Sequence, residues 1–191
     1  SYPNRQYTNS EPVRFWETKA HAGIFHRLDY GPTVRFGITQ ERLNFEDAPS
    51  SAGGTVNMDD RDRTHTAVGG RASHKISEKF EPFVQGSTET RRYQVDQDDN
   101  GYQRDSDGYR AAAGVKFNIE PLIYGEAYVG VLHQNYKDSR LVDITAPDLG
   151  ASLTWLVSTD TRIKANLDRF VEESTLSGVS ASLDTVLGLR L

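Results

Sequence analysis

The chain has no cysteine, one methionine and no run of about 18 apolar residues. The first absence removes any disulfide framework or thiolate metal site and is compatible with an oxidising envelope compartment. The last excludes a helical membrane protein, because a spanning helix needs about 20 consecutive apolar residues. Helical periodicity is scarce too, and no linker divides the chain. With 191 residues, 36% hydrophobic content and a mean hydropathy of −0.62, the averages alone resemble those of a soluble domain.

What is present is a period of two. Nine stretches alternate, and the apolar-leaning register takes every second residue of Trp16 to Leu28, Val34 to Ile38, Thr66 to Ile76, Phe80 to Thr88, Tyr109 to Ile119, Ile123 to Val131, Leu149 to Val157, Thr161 to Arg169 and Val179 to Leu191. That register holds a single Lys, Arg, Asp or Glu, namely Arg169. The residues between and beside it carry the cations Lys19, Arg27, Arg35, Arg71, Lys75, Arg110, Lys116, Arg162, Lys164 and Arg190, and the anions Glu17, Glu81, Glu89, Glu126, Asp168 and Asp184. Successive strand side chains point to opposite faces, so one face of the sheet shuns charge and the other carries it.

Composition decides what the apolar face meets. A packed interior calls for large aliphatic side chains, yet this face includes Ala20, Ala22, Gly70, Ala72, Gly86, Ala111, Ala113, Gly125, Ala127, Ala151, Ala165 and Ala181. Lipid tails need no interlocking partner, only the absence of charge. The pattern therefore predicts an all-β, antiparallel up-and-down transmembrane β-barrel with about nine strands visible. A soluble β-sandwich is the rival, with a dense core between two sheets.

Connections and aromatic residues agree. Short turns near Asp29–Gly31, Ser77–Lys79, Ile119–Pro121 and Ser158–Asp160 alternate with longer polar loops at about 46–62, 92–107, 136–147 and 172–178. Short turns at one rim and long loops at the other are the asymmetry of bacterial outer-membrane barrels. Phe80, Phe117 and Trp155 lie near short turns, and Trp16 and Tyr109 toward the long loops. The eight steps from Tyr109 to Phe117 give roughly 26 Å, or about 20 Å after tilting, against an apolar band of ~25 Å.

The segments Asp105 to Val115, Gly125 to Tyr136, Leu153-Thr154-Trp155 and Glu172 to Gly178 resemble the beta-barrel porin type 2 family of Gram-negative bacteria. The likeness is carried by residues from about 100 to 191, and the first hundred follow by pattern. It implies an outer-membrane barrel, and some relatives accompany exopolysaccharide or capsule export. Two departures stand out. Family members continue past the strand that ends at Leu191, and nine is an odd count where bacterial barrels have even ones. The expectation is a missing part of a larger barrel or a further strand in residues 1–12. Residues 1–12 are read as an N-terminal extension or partial strand, and 13–191 as the barrel domain.

The charged register is expected to line the lumen, where ten cations against six anions contrast with a whole-chain charge of −5. A pore wall of that sign attracts anions and anionic sugars. The blander expectation is that neighbouring opposite charges pair and stiffen or plug a narrow barrel. Inward Phe25, Phe83, Tyr124 and Tyr128 offer faces for sugar rings. In the loops, Asp96, Asp98, Asn100, Gly101 and Asp107 match the spacing of a calcium loop, although position 12 is Asp and the flanks are strands. Calcium is the one cofactor this spacing admits. Histidines 21, 26, 65, 74 and 133 accompany no nucleophile motif, so no enzyme is expected. Expected partners are outer-membrane lipid, lipopolysaccharide, polysaccharide and other envelope proteins, with an oligomer admitted; an acidic chain without a basic stripe argues against nucleic acid.

Overall fold

The computed structural model describes residues 13–29, 31–50, 53–119, 122–173 and 179–191. The expected extension or strand in residues 1–12 lies outside them. Eleven strands follow in chain order: β1 Phe15–Arg27, β2 Pro32–Phe45, β3 Ala48–Pro49, β4 Thr55–Val56, β5 Arg63–His74, β6 Phe80–Tyr93, β7 Ser106–Ile119, β8 Ile123–Tyr136, β9 Ile144–Leu156, β10 Arg162–Glu173 and β11 Ala181–Arg190. A 3-10 turn, Asp59–Arg61, precedes β5. All but β3 and β4 form one antiparallel sheet in the order β1-β2-β5-β6-β7-β8-β9-β10-β11, a half-barrel in which every chain-neighbouring pair is a hairpin. β3 and β4 pair only with each other, in the β2–β5 loop.

The period of two dictates the two faces. Residues of the apolar register carry large exposed side chains: Ile24 is 75% exposed, Val84 58%, Val129 61% and Leu187 75%. No second sheet covers them among the described residues, so the sandwich reading fails for want of a core. The buried apolar residues are few, and their one cluster, Leu132, Ala146 and Val171 with Ile144 and Ala181 against it, sits toward the long loops. β9 and β10 stop pairing at Gly150 and Asp168. Beyond that point Val171, outward by strict alternation, is buried.

The strands outrun the apolar stretches. β6, β7 and β8 have 14 residues each, which at ~3.3 Å per residue and a tilt near 40° rise roughly 33 Å, beyond an apolar band of ~25 Å. Above that band the outward register turns polar, with Arg42, Asn44, Arg92, Asp107 and Asn135. Arg92 donates to Asp107 at 2.5 Å and Gln94 to Asn44 at 2.8 Å. The expected loops at 92–107 and 136–147 are accordingly shorter, because their ends are ladder residues of β6, β7, β8 and β9. The expected short turns at Ser77–Lys79 and Ser158–Asp160 hold and Ile119 pairs with Ile123, whereas Tyr30, Glu120 and Pro121 of the other two turns, and 174–178 of the expected loop at 172–178, lie outside the described residues. In the first expected turn, Gly31 takes a positive φ of 98°, and its N–H donates to the Leu28 carbonyl.

Aromatic residues bracket the outer face. Phe80 and Phe117 are direct partners at the short-turn rim, with Trp155 opposite Ile123. At the other rim Tyr109 lies 5.2 Å from the ring of its partner His133, and Trp16 Nε1 donates to Glu46. Arg169, the single charge within the apolar stretches of the outward register, lies toward the loops and donates to Thr185 Oγ1 at 3.0 Å.

Candidate functional site

The ladder arranges the charged face in rows. One runs Arg35, Arg71, Gln85, Ala112, Gly130, Asp148 across β2 to β9. The next, toward the short turns, contains Phe83, Gly114, Tyr128 and Gly150. In that row aromatic rings and glycines alternate because each ring occupies the space a neighbouring Cβ would need: Phe83 over Gly114 and Tyr128 over Gly150. Phe83 is buried as a result.

Arg71 builds on this platform. Its guanidinium lies 3.4 Å from the Phe83 ring centroid and donates to both Glu126 carboxylate oxygens, at 3.2 and 2.9 Å. Glu126 is on β8, three strands from β5. Three spacings of ~4.8 Å put these backbones roughly 14 Å apart on a flat sheet. A sheet curved toward this face brings the side chains together, which makes the charged face the concave one.

Pairing is unequal along the strands. Toward the long loops, Lys19 meets Glu41 at 3.5 Å, His65 lies 3.2 Å from Glu89, Arg91 donates to Glu89 at 3.1 Å, and Arg110 approaches Asp148 at 3.5 Å. Toward the short turns, Lys75 pairs with Glu78 of its own turn and Glu81 accepts from Ser73 at 2.6 Å. Lys116 is flanked by its ladder partners Glu81 and Glu126. Lys164 and Arg190 are direct partners of like charge. Among the described residues no ion pair involves Arg27, Arg35, Lys116, Arg162, Lys164 or Arg190. Asp168 sits between Gly150 and Val186, and Asp184 accepts from Ser182. Of the cations named above, the unmatched ones thus gather toward the short-turn rim, a polarity invisible in the sequence; at the long-loop end Arg63 meets the Arg61 carbonyl and the Tyr93 ring instead of a carboxylate. Glu41, Arg91 and Asp148, which also take part, lie just beyond the apolar stretches that marked each strand. Their even spacing from Arg35, Glu89 and Gly150 was the available signal.

The long loops knit together over the opposite rim. Arg104 of the β6–β7 loop pairs with Asp98 at 2.7 Å, both side chains about 1% exposed, and donates to the Val179 carbonyl before β11. Arg140 of the β8–β9 loop donates to the Gly101 carbonyl, stacks 4.5 Å over Tyr102 and pairs with Asp138. Asp138 also accepts from the Gln103 N–H, and its carboxyl is held well below the ordinary carboxylate range, chiefly by the Arg140 hydrogen bonds. Burial pushes Asp62, at the foot of the β2–β5 loop, the other way.

The expected calcium ligands are placed differently from a closed loop. Asp98 is taken by Arg104 and by the Asn100 and Tyr102 N–H groups, Asp107 is on β7 against Arg92, and Asp96 is exposed. Among the described residues no three His, Asp or Glu side chains gather as a metal set. His26 and His74 are exposed on the outward register, and His65 lies between Glu41 and Glu89.

A nine-stranded wall with one lipid-compatible and one charged face is the architecture on which the comparisons bear. No curated protein and no solved structure matches the chain. The family model described as "Putative beta-barrel porin 2" matches residues 1–191, and the chain belongs to that family.

Proposed function

We propose that this protein is a passive, porin-like conduit of the bacterial outer membrane for hydrophilic solutes, with a preference for anions. The observation that carries the reading is the division of one curved sheet into an exposed apolar face and a concave face with unmatched cations. Water and ions follow the second face, and positive wall charge raises the local concentration of anions. Unpaired edge groups of β1 and β11 would cost several kcal/mol each in hydrocarbon. On this reading the edges of β1 and β11, unpaired among the described residues, are covered within the membrane by further strands. Within this class we place the protein beside exopolysaccharide export, the association that the family resemblance implies.

The interlocked loops favour a second reading, a non-conducting barrel that anchors an envelope assembly through its loops. Planar-bilayer recording of the purified protein separates the two. Steady ohmic current with anion-biased reversal potentials is expected for the conduit; a sealed bilayer at confirmed insertion overturns it.

A further inference from the structure

We propose that the concave face carries an oxyanion subsite at Arg35, which takes a phosphate, sulfate or carboxylate group. The inference rests on the conduit reading and narrows it to one solute chemistry. Arg35 and Arg71 are direct cross-strand partners on the same face, and like charges so placed repel. The repulsion is relieved on one side only. Glu126 and the Phe83 ring draw Arg71 away toward β8, and Arg110 is held by Asp148 and the Arg169 carbonyl. Arg35 makes no ion pair among the described residues, Glu81 acting on it only at longer electrostatic range, and its side chain is exposed.

The space in front of it is shaped to admit a ligand. A cavity of about 530 Å³ is lined by Arg35, Arg71 and Arg110, with Gly37 and Gly69 leaving its floor bare and Ser87 adding a hydroxyl. Two of the three guanidinium groups are matched by Glu126 and Asp148, so the unmatched charge belongs to Arg35. Its planar fork fits two oxygens of one oxyanion. Phe25, its partner on β1, is 76% exposed and supplies an apolar ledge beside the charge. Inorganic phosphate and a sugar carboxylate share this chemistry.

The full chain is tested in planar bilayers and, independently of conduction, by calorimetric titration in detergent micelles, at fixed ionic strength. Inorganic phosphate and galacturonate are the two probes. In micelles, at least one probe binds the wild type, and Arg35→Gln weakens it roughly fivefold or more. In bilayers, the same probe depresses chloride current with the same dependence on Arg35. Lys79→Gln, which removes a turn cation, leaves both unchanged. Binding of phosphate alone assigns the tetrahedral oxyanions, and binding of galacturonate alone the sugar carboxylates. Absence of binding by both probes, or an equal loss in Lys79→Gln, overturns the subsite. An open channel whose anion response ignores Arg35 ends the subsite and keeps the conduit; a sealed barrel that binds through Arg35 does the reverse. Should Arg35→Gln not fold, Arg35→Lys, which keeps charge without the fork, is expected to bind severalfold more weakly, and unchanged affinity there also overturns the proposal.

Discussion

Arg71 and Glu126, 55 residues apart in sequence and three strands apart in the sheet, are joined by two hydrogen bonds across the concave face. Their side chains are 21% and 33% exposed, between a surface pair and a buried one. Arg71→Ala is expected to cost about 1–2 kcal/mol of folding free energy. Urea titration in lipid vesicles checks it, and a double-mutant cycle with Glu126→Ala isolates the pair from the lost packing on Phe83.

Tyr128 lies where a side chain at Gly150 would have to go. Gly150→Ala is expected to destabilise by about 1–3 kcal/mol through overpacking. Tyr128→Ala in the same chain should recover part of that loss. Gly188, which has nothing within 4 Å of an added Cβ, provides the control. Gly188→Ala should change stability by less than about 0.5 kcal/mol.

Val129 stands midway along β8 on the outward face, 61% exposed. Val129→Arg is expected to cost about 2–4 kcal/mol of folding into bilayers, the penalty of a cation near the midplane. Arg169 bears its charge nearer the loops, and Arg169→Leu should shift stability by about 1 kcal/mol at most. Equal effects at the two positions would contradict the assignment of this face to lipid.

Asp98 and Arg104 form a pair that water barely reaches. Asp98→Ala leaves a buried guanidinium without its carboxylate, a change that costs about 3–5 kcal/mol in a buried site. The β6–β7 loop should open locally while the sheet persists. Hydrogen exchange reports this as lost protection over residues 94–105 with unchanged protection in β7 and β8.

The Asp138 carboxyl titrates below its ordinary 3.8. Its contribution is fully present above that value and is lost as pH falls toward the depressed folded-state value. The contact of Arg140 with Gly101 should therefore withstand mild acid and loosen only well below pH 4. Asp62, raised by burial, has the opposite sign: its contribution favours the fold below its ordinary value and is lost as pH rises through the raised one. Limited proteolysis of the loops across pH, compared with Asp138→Asn, distinguishes the two.

Apart from the β3–β4 hairpin within the expected loop at 46–62, the amino-acid order by itself determined the nine strands of the main sheet, their faces, and the register that sets Arg35, Arg71 and Lys116 on the charged face. All of these follow from a period of two and from turn chemistry, which are properties of neighbouring residues. Strand ends were less accessible, because beyond the apolar stretches Arg42, Arg92 and Asp107 make the outward register polar and the alternation fades while the ladder continues. Only the tertiary structure decided which charges meet. Arg71 with Glu126, Arg110 with Asp148 and Arg104 with Val179 depend on sheet curvature and loop return, which join residues 38 to 75 positions apart. No local period encodes such partners, so the unmatched charge of Arg35 emerged only once its neighbours' carboxylates were in place.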